Sequence, residues 1–188
     1  MLPAGNPPVS ARSMSLPEKG NRVGHALPPA VVHVVPPYVR LPAPGYGGIE
    51  RIVVELQQAQ RVIYGRTPTL LAAADSRSPN TLGVVPSLSA RRQVPSRTKM
   101  LRLLRAHYEW AVAQLGNYDV AHVHGMWCLP AYDESTAPIV LSVYTDTSDP
   151  EVRRSLLSLP PHVHPVANSG STMRKAPEVH WRRSSTRG

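Results

Sequence analysis

The residues best suited to chemistry begin with a cluster of glycines. In PGYGGIERIVVEL, residues 44–56, Gly45, Gly47 and Gly48 stand directly before an apolar pattern of helical spacing. A turn of bare backbone at a helix N-terminus can offer its amides to an anion, and the helix dipole adds partial positive charge. The same glycines can also do no more than turn the chain. GYGGIER lacks the Gly-Lys-Ser/Thr ending of a P-loop. Gly45-x-Gly47 matches the opening of a dinucleotide fingerprint, with Asp75 available for a ribose. Glu50, however, fills the sixth position, where bulk and charge oppose close helix–strand packing. Four more polar clusters carry useful groups: Asp75-Ser76, His124-Gly125, Tyr144-Thr145-Asp146 and Asn168-Ser169. Each can equally serve as a turn, a helix cap or a hydrogen-bonded edge residue.

These clusters share a position, because each follows an apolar run of strand length. AVVHVVP from Ala30 is a β-branched run that leads into the Pro/Gly loop, and TLLAAAD and LGVVPSL are a second run and a possible third. DVAHVHG, PIVLSVY and VHPVANS complete the strand set. Helical patterns alternate with them. Ile49, Ile52, Val53, Leu56, Ala59, Val62 and Ile63 recur at spacings of three and four, which predicts one buried stripe on a helix ended by Gly65 and Pro68. Ser96 is placed to cap a long helix with Met100, Leu101, Leu104, Tyr108, Ala111, Val112 and Leu115 on its apolar face and Gly116-Asn117 at its end. A short helix is expected from Pro150 to Leu159. The alternation predicts an α/β fold: one Rossmann-like, three-layer domain built on a mainly parallel sheet. Ligands of open α/β sheets bind beyond the carboxyl ends of the strands, so all five clusters are expected along one rim.

Size and charge narrow the possibilities. With 188 residues, 41% of them hydrophobic, the chain can bury one core but not two of ordinary size. The expected layout is a disordered Pro/Gly-rich extension over 1–29, the domain over 30–180 and a basic irregular tail over 181–188. The net charge of +9 is uneven: +2 over residues 1–30, +3 over 31–172 and +4 over 173–188. The body has no Lys/Arg stripe interleaved with aromatics, which argues against nucleic-acid binding. Cys128 is the sole cysteine; it excludes an internal disulfide or a cysteine-based zinc cluster, fits a reducing compartment and is expected as a small buried hydrophobe. No metal-ligand set is expected. No apolar run approaches the length of a membrane span, and the N-terminal stretch lacks the compact apolar segment of a signal peptide.

Taken in order, HVVPPY, PGYGGIERIVVEL, LLAAADS, YDVAHVHG, PIVLSVY and PVANSGS resemble the N-terminal half of a family-4 glycosyltransferase across about residues 31–180. That resemblance implies a retaining enzyme with two Rossmann-like domains facing across a cleft. Its donor is a nucleoside-diphosphate-sugar, its acceptor a glycan or lipid-linked hydroxyl, and it needs no separate cofactor. It also implies a cytoplasmic setting with peripheral membrane contact possible. It assigns Gly47 and Gly48, with Glu50 in the first helical turn, to the donor-phosphate loop. Asp75, Ser76, Asn168 and Ser169 would line the cleft, and His124 would lie near the acceptor. His122 is expected on the opposite strand face, packed there. Two departures stand out. Where relatives carry a histidine after the next strand, this chain reads SVYTD, leaving Tyr144 or Asp146 to stand in; a phenol of ordinary pKa is a poor base at neutral pH. The donor-binding half has no counterpart in these residues, and the ending RRSSTRG is read as a truncation or a shifted frame.

Overall fold

The computed structural model describes residues 27–90, 95–125 and 137–182. The expectations for the N-terminal extension, for Cys128 and for the last residues of the tail fall outside, or almost wholly outside, these segments. The described chain is α/β, with a single six-stranded sheet in the order β3-β2-β1-β4-β5-β6. Its strands are β1 (Val31–Val34), β2 (Thr69–Leu71), β3 (Thr81–Leu82), β4 (Val120–His124), β5 (Ile139–Val143) and β6 (Val163–Ala167). Every pairing is parallel, so all the strand ends named above do lie along one rim. The order is that of a doubly wound α/β sheet, and its direction reverses between β1 and β4.

Helices cover both faces. On one face α2 (Arg97–Leu115) and α3 (Pro150–Leu157) bury Tyr108, Ala111, Leu115 and Leu156 against Val32, Val34, Ala121, Val123, Ile139 and Leu141. Each fully buried aliphatic side chain there contributes about 1.5–3 kcal/mol of hydrophobic stabilisation. As expected, the Ser96 hydroxyl caps α2 by accepting from the Lys99 amide (3.4 Å), although Leu101 remains exposed. Asp149 caps α3. A short helix, α4 (Gly170–Lys175), follows β6.

The other face is covered by α1 (Gly48–Tyr64), which ends at Gly65 in the left-handed region (φ 67°). Here the structure corrects the expected stripe. Val53 is buried, but so are Glu50 and Gln57, whereas Ile52, Val62 and Ile63 are exposed. The helix turns a partly polar side inward because the loops leading into β2 and β3 offer polar partners: Gln57 Nε2 donates to the Pro68 and Pro79 carbonyls (2.9 and 2.8 Å). The third run is also shorter than LGVVPSL suggested. Strand β3 stops at Leu82 because Gly83 lies hard against the end of β2, where a Cβ would run into the Ala72 carbonyl and meet the Ala74 nitrogen at 2.8 Å.

Candidate functional site

Strands alternate their side chains with a period of two, so residues 122 and 124 must share a face. The structure accordingly places His122 beside His124, not opposite it, with ring centroids 4.1 Å apart. Register brings a third imidazole to the same place, since His33 of β1 pairs with His122 of β4. The His33 ring centroid lies 5.2 Å from that of His122 and 5.3 Å from that of His124. His33 and His124 are fully buried beneath α1 and His122 is partly exposed.

One proton arrangement satisfies the whole cluster. Gln60 of α1 presents Oε1, so His33 donates from Nε2 (2.8 Å), leaving Nδ1 to accept from His124 Nε2 (3.1 Å). His124 Nδ1 then accepts from the Tyr144 hydroxyl (3.1 Å). Tyr144 is bonded in turn by Ser142, whose Oγ accepts from His122 Nε2 (2.8 Å). Five hydrogen bonds thus run one way from His122 to Gln60. Burial holds all three imidazoles neutral: it lowers the pKa of His33 against the raising effect of Gln60, takes His122 to about 4 and carries His124 well below its ordinary value. Mutual repulsion among the rings adds to the last two. Burial also pushes the Tyr144 phenol up, which makes it a hydrogen-bond donor and not a base.

The glycine turn does not directly follow its strand as expected: a ten-residue loop separates Val34, the end of β1, from Gly45. Gly47 is the N-cap of α1 and its carbonyl accepts from the Arg51 amide (3.0 Å). It is buried, and a Cβ there would meet the Ala43 Cβ at 2.6 Å and Glu50 Oε2 at 3.1 Å. Gly48 is exposed with open space where its side chain would be. Among the described residues neither the Gly47 nor the Gly48 amide has a hydrogen-bond partner. Glu50 is buried in the first turn; desolvation raises its pKa although its own amide donates to the carboxylate. That carboxylate therefore competes with an anion for the helix end.

The remaining sequence candidates are engaged in holding the rim together. Both Asp75 oxygens accept from Ser87, one from the amide and one from the hydroxyl (2.7 Å each). Burial would raise the Asp75 pKa, but those two bonds and the Arg40 charge hold it below its ordinary value. Ser76 Oγ accepts from the Leu41 amide (2.9 Å). Asn168 Oδ1 accepts from the Thr172 hydroxyl (2.6 Å) and Ser169 caps α4. Asp146 is exposed; its bond from Lys175 (2.9 Å), helped by the Ser148 amide, holds its pKa down to about 2. The structure thus joins His124 to Tyr144 but leaves Asp146 out of that pair.

Sequence reasoning passed over His33 and Gln60. The available signal was polar residues inside runs that a doubly covered parallel sheet should fill with aliphatics: the third letter of VVHV, and the pair in AHVH. Among the described residues, His33, His122 and His124 are also the one set of three side chains able to hold a metal ion. No helix among the described residues is long and apolar enough to cross a membrane. No protein-family model matches the chain, and no curated protein matches it.

Proposed function

We propose that this domain is the acceptor-side half of a retaining glycosyltransferase. Such an enzyme moves a sugar from a nucleoside diphosphate to a hydroxyl of a glycan or lipid-linked acceptor, in the cytoplasm and with no nucleic-acid partner. One observation carries the reading: β1 leads through a loop to the glycine turn that opens α1, the adjacent β4 ends in His124, which Tyr144 just past β5 bonds, and β1 and β4 flank the point where the strand order reverses. Crevices at such switch points take nucleotides. On this reading the exposed Gly48 side of the turn meets the diphosphate. Tyr144 stands on the cleft side with its hydroxyl proton held by the buried His124, so it serves as a fixed positioning group. Neither group is a strong base, so the domain contributes position and charge stabilisation, while the donor's own diphosphate assists removal of the acceptor proton.

The dinucleotide alternative loses its ribose ligand, since both Asp75 oxygens are taken by Ser87. Its first glycine should also follow the strand at once, whereas ten residues separate Val34 from Gly45. A non-catalytic, partner-binding module is favoured by a different observation, the exposure of Val62 (84%) and Ile63 (70%) on α1.

The test is amide-resolved NMR of the purified chain titrated with nucleoside diphosphates and their sugars, followed by an assay for sugar release. Shifts centred on residues 45–50 with little or no turnover are expected. Saturating turnover would remove the half-enzyme reading, and a silent glycine turn at millimolar nucleotide would remove the glycosyltransferase reading altogether.

A further inference from the structure

We propose that His33, His122 and His124 form a three-histidine site for a divalent transition ion of the zinc class, set between β1 and β4 beneath α1. The proposal uses only the cluster's geometry and chemistry, and it stands whether or not a nucleotide-sugar binds.

The spacing suits coordination. One ligand atom from each residue lies within 4.8 Å of the other two. Zinc–nitrogen bonds of about 2.0–2.1 Å at tetrahedral angles put neighbouring ligand nitrogens about 3.3 Å apart and their ring centroids about 5 Å apart. His33 Nδ1 and His124 Nε2 are 3.1 Å apart. The His33 centroid lies 5.2 and 5.3 Å from the other two. The His122–His124 rings, at 4.1 Å, must open by about 1 Å, and the ligand atoms, now within 4.8 Å, must draw in to about 3.3 Å. The ion takes the place of the proton now shared between His33 and His124. His124 passes that proton from Nε2 to Nδ1 and donates it to the Tyr144 oxygen, while the Tyr144 hydroxyl turns its own proton towards Ser142, and all three rings stay neutral.

The surroundings are those of a metal centre. A ligating histidine almost always has its other nitrogen held by an oriented partner, which fixes the tautomer. Here Gln60 holds His33 Nε2, Tyr144 holds His124 Nδ1 and Ser142 holds His122 Nε2. Each of these nitrogens is fixed, while His33 Nδ1 and His124 Nε2 converge. The set contains no carboxylate, which disfavours calcium and magnesium and suits the ions that prefer imidazole. His122 is partly exposed, so an ion can enter from its side.

The experiment strips the full 188-residue chain of metal, confirms its fold by circular dichroism, and titrates it with Zn²⁺ against a chromogenic chelator and with Co²⁺ by visible absorption. One equivalent of zinc, a tetrahedral cobalt spectrum and a higher thermal midpoint with zinc are expected. His33→Gln and His122→Gln should each weaken binding at least about tenfold, and Gln60→Leu by about 10–100-fold through loss of the outer partner. His180→Gln, at an exposed histidine away from the cluster, should change nothing. If His33→Gln does not fold, His122→Gln at the partly exposed ring carries the comparison. A folded wild-type chain that takes up no zinc at micromolar concentrations overturns the proposal, as does uptake that survives loss of His122. Either result leaves a hydrogen-bonded chain without a metal function.

Discussion

A neutral imidazole has one donor and one acceptor, so three of them in series are satisfied only when all their protons point the same way. Gln60 at the far end, and Ser142 with Tyr144 between His122 and His124, impose that direction on the three rings. Tyr144→Phe keeps the ring but takes away the hydroxyl, leaving His124 Nδ1 buried without its partner. The expected loss is about 1–3 kcal/mol, read as a lower urea midpoint at an unchanged slope. An unaltered midpoint would mean that the Tyr144 bond contributes nothing to the cluster. His124 and Tyr144 were legible in the sequence because each stands at or just after the end of an apolar run. His33 was not, because a single histidine inside VVHV reads as ordinary strand, and only the β1–β4 register turns it into a neighbour of His122.

Helix α1 shows what periodicity can and cannot tell. Its start, its end and its place between two strands followed from Gly47-Gly48, Gly65-Pro68 and the apolar spacing, but the face it buries did not. The sheet beneath carries imidazoles and loop carbonyls, and these draw Gln57 and Gln60 inward at the expense of Ile52, Val62 and Ile63. Ile63→Lys is therefore expected to shift stability by no more than about 0.5 kcal/mol while reducing self-association, measurable by thermal melting and sedimentation. A large loss of stability would return Ile63 to the core. The helix start makes a sharper contrast. Gly47→Ala drives a methyl group into Ala43 and should cost about 1–3 kcal/mol, whereas Gly48→Ala enters open space and should be neutral or slightly stabilising. Equal effects from the two alanines would contradict this packing.

Across the whole molecule, buried neutral histidines tie stability to pH. His107 on α2 donates from Nε2 to the Val35 carbonyl (2.9 Å), while its Nδ1 is buried with no partner among the described residues. Burial lowers its pKa to about 4 despite the raising effect of the Val35 bond, and His122 is likewise lowered to about 4, with His33 and His124 also depressed. In the unfolded chain these groups titrate near about 6.5, so between that pH and about 4 the unfolded state binds more protons. Stability is fully present above the upper limit and falls as the pH drops through the window. The His107 contribution over the full span is of the order of 3 kcal/mol. Urea midpoints at pH 7.5, 6 and 5 should fall in that order. His107→Gln, which can still donate to Val35 but does not titrate, should flatten the slope. A midpoint that rises on acidification would reverse the assignment.

The sequence by itself determined the class of the molecule. Alternating strand-length and helix-length patterns, with turn residues between them, admit few arrangements other than a parallel sheet covered on both sides, and parallel strands necessarily gather their carboxyl ends on one rim. Tertiary structure decided which residues along that rim are free to act. Asp75, Ser76, Asn168 and Ser169 carry the right groups for a binding site, but loops distant in sequence or adjoining helix turns take up their hydrogen bonds. Local alternation puts His122 and His124 on one face, but His33 joins them only through strand order and register, which depend on contacts between residues about ninety positions apart.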